Sequence, residues 1–317
     1  MESLHKLVAI IGPTAVGKTR LGIDIAKRFN GEVISGDSMQ IYRGMDIGTA
    51  KVTKEEMDGI PHHLIDIRNP EERFSVADFQ SLVEEKIAEI SSRGKLPIIV
   101  GGTGLYIQSV LYEYEFSEAP ADPSFREQLE KKAREEGNEA VHRELALLDP
   151  KAAEELHPNN VRRVIRALEI VTSTGRPLEE SRNGSKPRQK YQSAVIGLTM
   201  DREKLYDRIN RRVDQMVSEG LIDEVRDLYE QGLRDCQSIQ AIGYKEIYEF
   251  LAGETALDAA IVNLKQNTRR YAKRQLTWFR NKMDVEWYDM TVEADHSKIF
   301  AEIFKYIEGK LQVKSNT

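Results

Sequence analysis

The sequence predicts an α/β fold: a P-loop-type parallel sheet with helices on both faces, interrupted by a helical insertion. Three observations carry that expectation. Short apolar runs alternate with amphipathic stretches along the N-terminal third. A glycine-rich turn separates the first run from the first amphipathic stretch. After Glu115 the texture becomes helical, and strand-like residues return only at Ser193. Strands alternating with helices imply a mostly parallel sheet covered on both sides.

Leu7-Val-Ala-Ile-Ile11 is a buried-strand pattern, followed by an amphipathic helix from about Lys18 to Phe29. Glu32-Val-Ile-Ser35 is a second short strand ending in Gly36-Asp37-Ser38, and His63-Leu-Ile-Asp-Ile67 has the look of a third. Ser75-Val-Ala-Asp78 has the form of a capping box, opening a helix with Phe79, Leu82, Val83, Ile87 and Ile90 on one face and a stop at Gly94. Leu96-Pro-Ile-Ile-Val100 then runs into Gly101-Gly-Thr-Gly104, a second glycine turn opening a helix. Ligands of such sheets sit beyond the carboxyl ends of the strands, so the segments after Ile11, Ile34 and Val100 are candidates for one shared site.

Asp122-Pro123 and Asp149-Pro150 are helix starts of the N-cap-plus-proline type, with Gly137 and Pro158 as punctuation. Val161, Val164, Ile165 and Leu168 mark one helix face, leaving Arg162, Arg163 and Arg166 toward the other side. Residues 116–192 are therefore expected to form a helical insertion within a core made of 1–115 and 193–317. After the strand Ser193-Ala-Val-Ile-Gly-Leu-Thr199 the remainder is expected to be helical: about 202–219, 221–231, then a long helix.

A hydrophobic share of 40% against 31% charged residues is enough to bury a sizeable core over 317 residues. Cys236 is the one cysteine, which excludes an internal disulfide and a cysteine-based zinc cluster and fits a reducing compartment. With no apolar run of membrane-span length and no secretory pattern near Leu7–Ile11, the expected location is cytoplasmic. The net charge of −6 argues against a nucleic-acid partner only on average, because the charge is segregated. Between Lys265 and Met283 there is no acidic residue, while Lys265, Arg269, Arg270, Lys273, Arg274, Arg280 and Lys282 crowd together. Such a run is either a solvated helix face or a local footprint for phosphate.

The segment Gly12-Pro13-Thr14-Ala15-Val16-Gly17-Lys18-Thr19 satisfies the phosphate-loop spacing, with a strand before it and a helix after. Its glycines let successive N–H groups curl around phosphate oxygens; Lys18 adds a point charge, and Thr19 offers a hydroxyl to Mg²⁺. Asp37 follows a strand on the ligand side, placed to bind magnesium, accept a substrate proton, or cap its own turn. His62 and His63 with Asp66 suggest a metal only weakly, since adjacent histidines do not readily ligate one ion. Arg208 and Arg212, one helical turn apart, are either an anion clamp or two solvated side chains. Asp66 is a poor Walker-B candidate, which favours a transferase over a motor-type ATPase.

Several blocks together resemble the bacterial tRNA dimethylallyltransferase family. They are the phosphate loop, Asp37-Ser-Met-Gln-Ile-Tyr-Arg-Gly-Met-Asp-Ile-Gly-Thr-Ala-Lys51, Pro61-His-His-Leu-Ile-Asp-Ile67, Gly101-Gly-Thr-Gly-Leu-Tyr106, Arg163-Val-Ile-Arg-Ala-Leu-Glu169, Ile242-Gly-Tyr-Lys-Glu246 and Ala272-Lys-Arg-Gln-Leu-Thr-Trp-Phe-Arg280. The resemblance implies transfer of a dimethylallyl group from dimethylallyl diphosphate to N6 of the adenosine 3′ to the anticodon. The phosphate loop would then hold the prenyl diphosphate rather than ATP. Lys18, Thr19 with Mg²⁺ and Arg208 or Arg212 would stabilise the leaving diphosphate, with Asp37 as general base and Thr103 counted among the catalytic positions. It further implies tRNA contacts from Asp37, Ser38, Met39, Gln40, Thr103 and Arg126, and from the helix bearing Arg162, Arg163 and Arg166. Gln240, Gly243, Tyr244 and Lys245, and Lys273, Arg274 and Arg280, complete the implied grip on the anticodon stem-loop, over which the insertion would close. No obligate protein partner is evident, and a monomer is expected. Competing readings are a small-molecule kinase, an adenylate-prenylating relative and an NTP-gated RNA-binding module.

Overall fold

A computed structural model of the chain describes residues 5–113, 122–178, 188–234 and 236–315. It divides into two compact units, residues 1–113 with 189–317, and residues 114–188. The expected insertion boundary at 116, and much of the polar stretch 182–192, lie outside the described residues.

The larger unit is built on a six-stranded sheet, every strand pair parallel. Its strands are β1 (Lys6–Ile11), β2 (Gly31–Ser35), β3 (His62–His63), β4 (Leu96–Gly101), β5 (Gln192–Thr199) and β6 (Glu286–Asp289), in the order β3-β2-β4-β1-β5-β6. Its helices are α1 (Lys18–Arg28), the single turn α2 (Lys54–Met57), α3 (Val76–Ser92) and α4 (Gly104–Leu111), and further helices follow the inserted unit. The inserted unit holds α5 (Pro123–Glu136), α6 (Asn138–Leu148), α7 (Pro150–Glu155) and α8 (Val161–Thr174). The later helices are α9 (Arg202–Ser218), α10 (Leu221–Glu230), α11 (Tyr244–Leu251), α12 (Leu257–Lys282) and α13 (His296–Leu311).

Alternation along β1 divides the core. Leu7, Ala9 and Ile11 join the apolar layer beneath α3, α4, α10 and α11, whereas Val8 and Ile10 join that beneath α1, α9 and α13. All five are wholly buried, each burial stabilising the fold by roughly 1.5–3 kcal/mol for the larger aliphatics. Because all strands run the same way, the ends Ile11, Ser35 and Gly101 open on one rim.

Local signals act where expected. Ser75 and Asp78 form a reciprocal capping box at α3, and Asp122 and Asp149 cap α5 and α7 ahead of their prolines. The inserted unit carries its own core, in which Leu129, Val141, Leu145, Val164, Ile165 and Leu168 pack together.

Two expectations need correction. The strand expected over 63–67 stops after His63, because Leu64 and Asp66 adopt left-handed backbone (φ 60° and 56°) and Lys51 Nζ donates to the Asp66 carboxylate at 2.6 Å. The C-terminal region is not wholly helical either: β6 adds a short parallel edge strand along β5. At the other edge, His63 Nε2 pairs with the buried carboxylate of Glu32 at 2.7 Å, as do Arg93 at 2.7 Å and Lys95 at 2.8 Å. Nε2 of His63 is thus engaged with Glu32 at the sheet edge, and His62 Nδ1 faces the Ile60 carbonyl at 2.9 Å. Among the described residues no helix is long and apolar enough to cross a membrane.

Candidate active site

The turn between β1 and α1 is shaped by three positive φ values, at Gly12 (145°), Ala15 (64°) and Gly17 (106°). Left-handed backbone at Ala15 costs on the order of 1–2 kcal/mol, strain of the kind kept where a concave set of N–H groups is needed. Lys18, the first residue of α1, folds back so that Nζ donates to the Pro13 carbonyl at 2.7 Å. Burial, then the neighbouring Arg212 guanidinium, lowers its pKa to about 7, an effect Asp37 opposes.

Asp37 lies within the same rim because two glycines permit it. A Cβ on Gly101 would stand 2.3 Å from the Gly36 carbonyl oxygen, so only glycine lets β4 and the end of β2 approach this closely. The contact brings Thr103, at the start of α4, next to Ser38: the Ser38 N–H donates to Thr103 Oγ1 at 3.3 Å. Asp37 Oδ1 accepts from the Met39 N–H at 2.8 Å. It therefore caps its own turn while also lining the cavity.

A cavity of about 950 Å³ joins these parts. Thr14, Ala15, Gly17, Lys18 and Thr19 line one side, Asp37 and Gln40 another, and Arg208 and Arg212 project from α9. Burial lowers the pKa of Arg212, with Asp37 and Glu56 pulling it back up. Asp66 does not line this cavity.

Gln275 and Tyr271 of α12 also belong here, and sequence reasoning missed both. Gln275 is buried; its Oε1 accepts from the Thr14 N–H at 3.0 Å and its Nε2 donates to the Gly102 carbonyl at 3.0 Å. One amide thus ties the phosphate loop to the second glycine turn. A signal for it existed: Ala272, Gln275 and Phe279 form the buried stripe of α12, and a polar residue in a core stripe needs partners. Tyr271 lines the cavity, and burial, then the Asp37 charge, push its pKa up to about 12.

The residues implied as tRNA contacts divide by exposure. Arg162, Arg163, Gln240, Lys245, Lys273, Arg274 and Arg280 are exposed. Lys273 and Arg274 border an open groove on α12 with Arg270, Trp278 and Lys282. Arg126 and Arg166 are half-buried and bound to Glu169, Arg126 by paired bonds of 2.8 and 2.7 Å. Tyr244 is corrected: its side chain is fully buried and donates to Glu224 at 2.6 Å, so it presents no surface to an RNA. Gly243 is buried beside it, and its N–H donates to Glu246. Gln40 spends its amide internally, accepting from Ser35 Oγ at 3.0 Å and donating to the Thr49 and Ala50 carbonyls at 3.3 Å each.

The family model described as IPP transferase matches residues 40–282. The chain is 60% identical over 314 residues to the tRNA dimethylallyltransferase of Bacillus pumilus, covering 99% of each. Among solved structures it is similar to the tRNA isopentenylpyrophosphate transferase of Bacillus halodurans, with 57% identity, 97% and 98% of the two chains covered and a TM-score of 0.73. It is also similar to a eukaryotic dimethylallyltransferase captured acting on tRNA, with 32% identity, 98% and 81% covered and a TM-score of 0.84. By its sequence over nearly the whole length and by its fold, the chain belongs to the IPP transferase family.

Proposed function

We propose that the chain transfers a dimethylallyl group from dimethylallyl diphosphate to N6 of the adenosine 3′-adjacent to the anticodon in tRNA, releasing diphosphate. The observation that carries this reading is that the phosphate loop, Lys18 and the Asp37 carboxylate line one cavity. The diphosphate would sit against the loop N–H groups and the amino end of α1, with Lys18, Arg208 and Arg212 around it. An adenine amino group is a weak nucleophile, its lone pair being delocalised into the ring. Asp37 takes its proton as the N6–C1 bond forms and the C1–O bond to diphosphate breaks. Stabilising that departing anion is the largest demand of the reaction, and charged donors fixed in advance meet it.

The donors present suit Mg²⁺, because Thr19 offers a hard hydroxyl oxygen at the cavity edge beside the phosphate loop. Thr19 would hold the ion, which when bound neutralises charge on the diphosphate. The acceptor base would be splayed from the anticodon loop into the cavity, as RNA loops commonly present their bases. Exposed cations on α8, around Lys245 and along α12 would contact the stem-loop backbone. The same reading has the protein act in the cytoplasm as a monomer.

The test is incubation with dimethylallyl diphosphate and unmodified tRNA, followed by nucleoside mass analysis, with ATP phosphotransfer run in parallel. Prenylated adenosine at the anticodon-adjacent position is expected. Phosphoryl transfer without prenylation would place the protein among small-molecule kinases instead.

A further inference from the structure

Glu224, on α10, lies outside the cavity lining, yet its carboxylate is among the most heavily used in the molecule. Oε2 accepts from the N–H groups of Asp46 at 2.8 Å and Ile47 at 2.7 Å; Oε1 accepts from Gly48 N–H at 3.0 Å and from the Tyr244 hydroxyl at 2.6 Å. Three consecutive amides aimed at one carboxylate add to the loop's own turn bonds, from the Ala50 N–H to the Ile47 carbonyl and from the Lys51 N–H to the Asp46 carbonyl, and fix its conformation against α10. The loop continues into Thr49 and Ala50, which line the cavity and whose carbonyls hold the Gln40 amide. Gln40 Oε1 in turn accepts from the Ser35 hydroxyl at 3.0 Å, and Ser35 Oγ accepts from the Asp37 N–H at 3.4 Å. An unbroken sequence of polar contacts therefore runs from α10 to the main chain that carries Asp37.

We propose that Glu224 is a positioning residue: acting through the 46–50 loop, Gln40 and Ser35, it sets the place of Asp37 in the cavity. The inference rests on the reading of Asp37 as the base, but the connection itself does not. Both carboxylate oxygens of Glu224 are in use as acceptors. Replacing one by an NH₂ group aims a donor at one or two N–H or O–H donors, while side-chain volume is kept. The disturbed loop then releases Gln40, and the backbone at 35–40 loses a support on one side. Positioning errors of about 1 Å far from the reacting atoms can cost roughly 10²-fold in rate.

The experiment uses the full-length chain and two readouts. In steady-state prenyl transfer, Glu224→Gln should lower kcat by about 10- to 100-fold, with KM for dimethylallyl diphosphate and for tRNA within about 3-fold of the parent. Amide hydrogen exchange should quicken at 35–40 as well as at 46–50, a readout independent of which reaction the protein catalyses. Gln40→Met breaks the same connection without touching α10 and serves if Glu224→Gln does not fold; it should show the same loss, and the double variant should lose no more than the worse single one. Unchanged exchange at 35–40, a normal kcat, or a loss expressed wholly in KM would each overturn the proposal. Absence of prenyl transfer by the parent protein would instead count against the proposed function, leaving the exchange measurement to decide the connection.

Discussion

Asp37 caps its own turn and is the proposed base, and one substitution can separate the two. As a turn cap it accepts the Met39 N–H through Oδ1, and an asparagine carbonyl can do the same. As a base it needs a carboxylate, which asparagine lacks. Asp37→Asn should therefore keep the fold, tRNA binding and diphosphate binding, while turnover falls by about 10²–10⁴-fold. Single-turnover kinetics beside a tRNA binding titration will separate these effects, and near-normal turnover would remove the carboxylate from the chemistry. Lys18 gives the complementary pH prediction. Its pKa is lowered to about 7 without ligand, so above that pH the unliganded cavity holds mostly the neutral amine. An anion seated beside it favours the ammonium and raises the pKa. Binding near pH 8 should then take up close to one proton per site from this group, and the uptake should vanish well below pH 7, where Lys18 is already charged. Calorimetry with pyrophosphate in buffers of different ionisation enthalpy measures this uptake. Lys18→Arg is the reference, since its guanidinium stays charged throughout; equal uptake by both proteins would show that Lys18 is not the group involved.

At the scale of elements, α12 holds the two glycine turns together through Gln275. Gln275→Leu leaves the buried Gly102 carbonyl without its partner, at a cost of about 1–3 kcal/mol, and frees the partly buried Thr14 N–H at a smaller one. A lower melting temperature and weaker pyrophosphate binding should appear together; loss of stability alone would mean that the loop keeps its shape unaided. The β2–β3 edge makes an acid-range prediction. Burial alone would raise the Glu32 pKa, but hydrogen bonds from Lys95 and His63 and the Arg93 charge bring it down to about 2. A depressed folded-state value stabilises the fold above the ordinary 4.5 and is lost as pH falls from there toward 2. Glu32→Gln should therefore flatten the melting temperature's dependence on pH in that window, where the parent loses about 3 kcal/mol. Signals contained within a few residues were legible in the sequence: the phosphate loop, the Ser75–Asp78 box and the Asp-Pro starts need no distant partner. Gln275 and Glu224 were not, because the partners of Gln275 lie 261 and 173 residues away and the amides that Glu224 holds lie 176–178 residues away. The strand β6 escaped for another reason: its four residues are half-buried or exposed at the sheet edge and carry no long apolar run.

For the molecule as a whole, charge is the property that its average hides. A net charge of −6 would repel a polyanion if it were spread evenly. The exposed cations of α12, Lys273, Arg274 and Arg280, lie instead in a stretch free of acidic residues, and Arg162 and Arg163 stand exposed at the start of α8. Phosphate contacts release counterions, so affinity for tRNA should fall steeply with salt, with a log–log slope near −0.9 per phosphate contacted in a duplex stem. Lys273 and Arg274 lie outside the cavity that holds Lys18 and Asp37, and both are exposed enough to be reversed to glutamate without disturbing the core. The double reversal should flatten that slope by about 1–2 and weaken tRNA binding at low salt, while pyrophosphate affinity stays at the parent value. Filter binding across a salt series, with pyrophosphate titration as control, tests this directly. A slope that ignores the reversal would mean the basic face of α12 is merely solvated and that the RNA is held elsewhere; a parallel loss of pyrophosphate binding would mean the substitutions had reached the cavity after all.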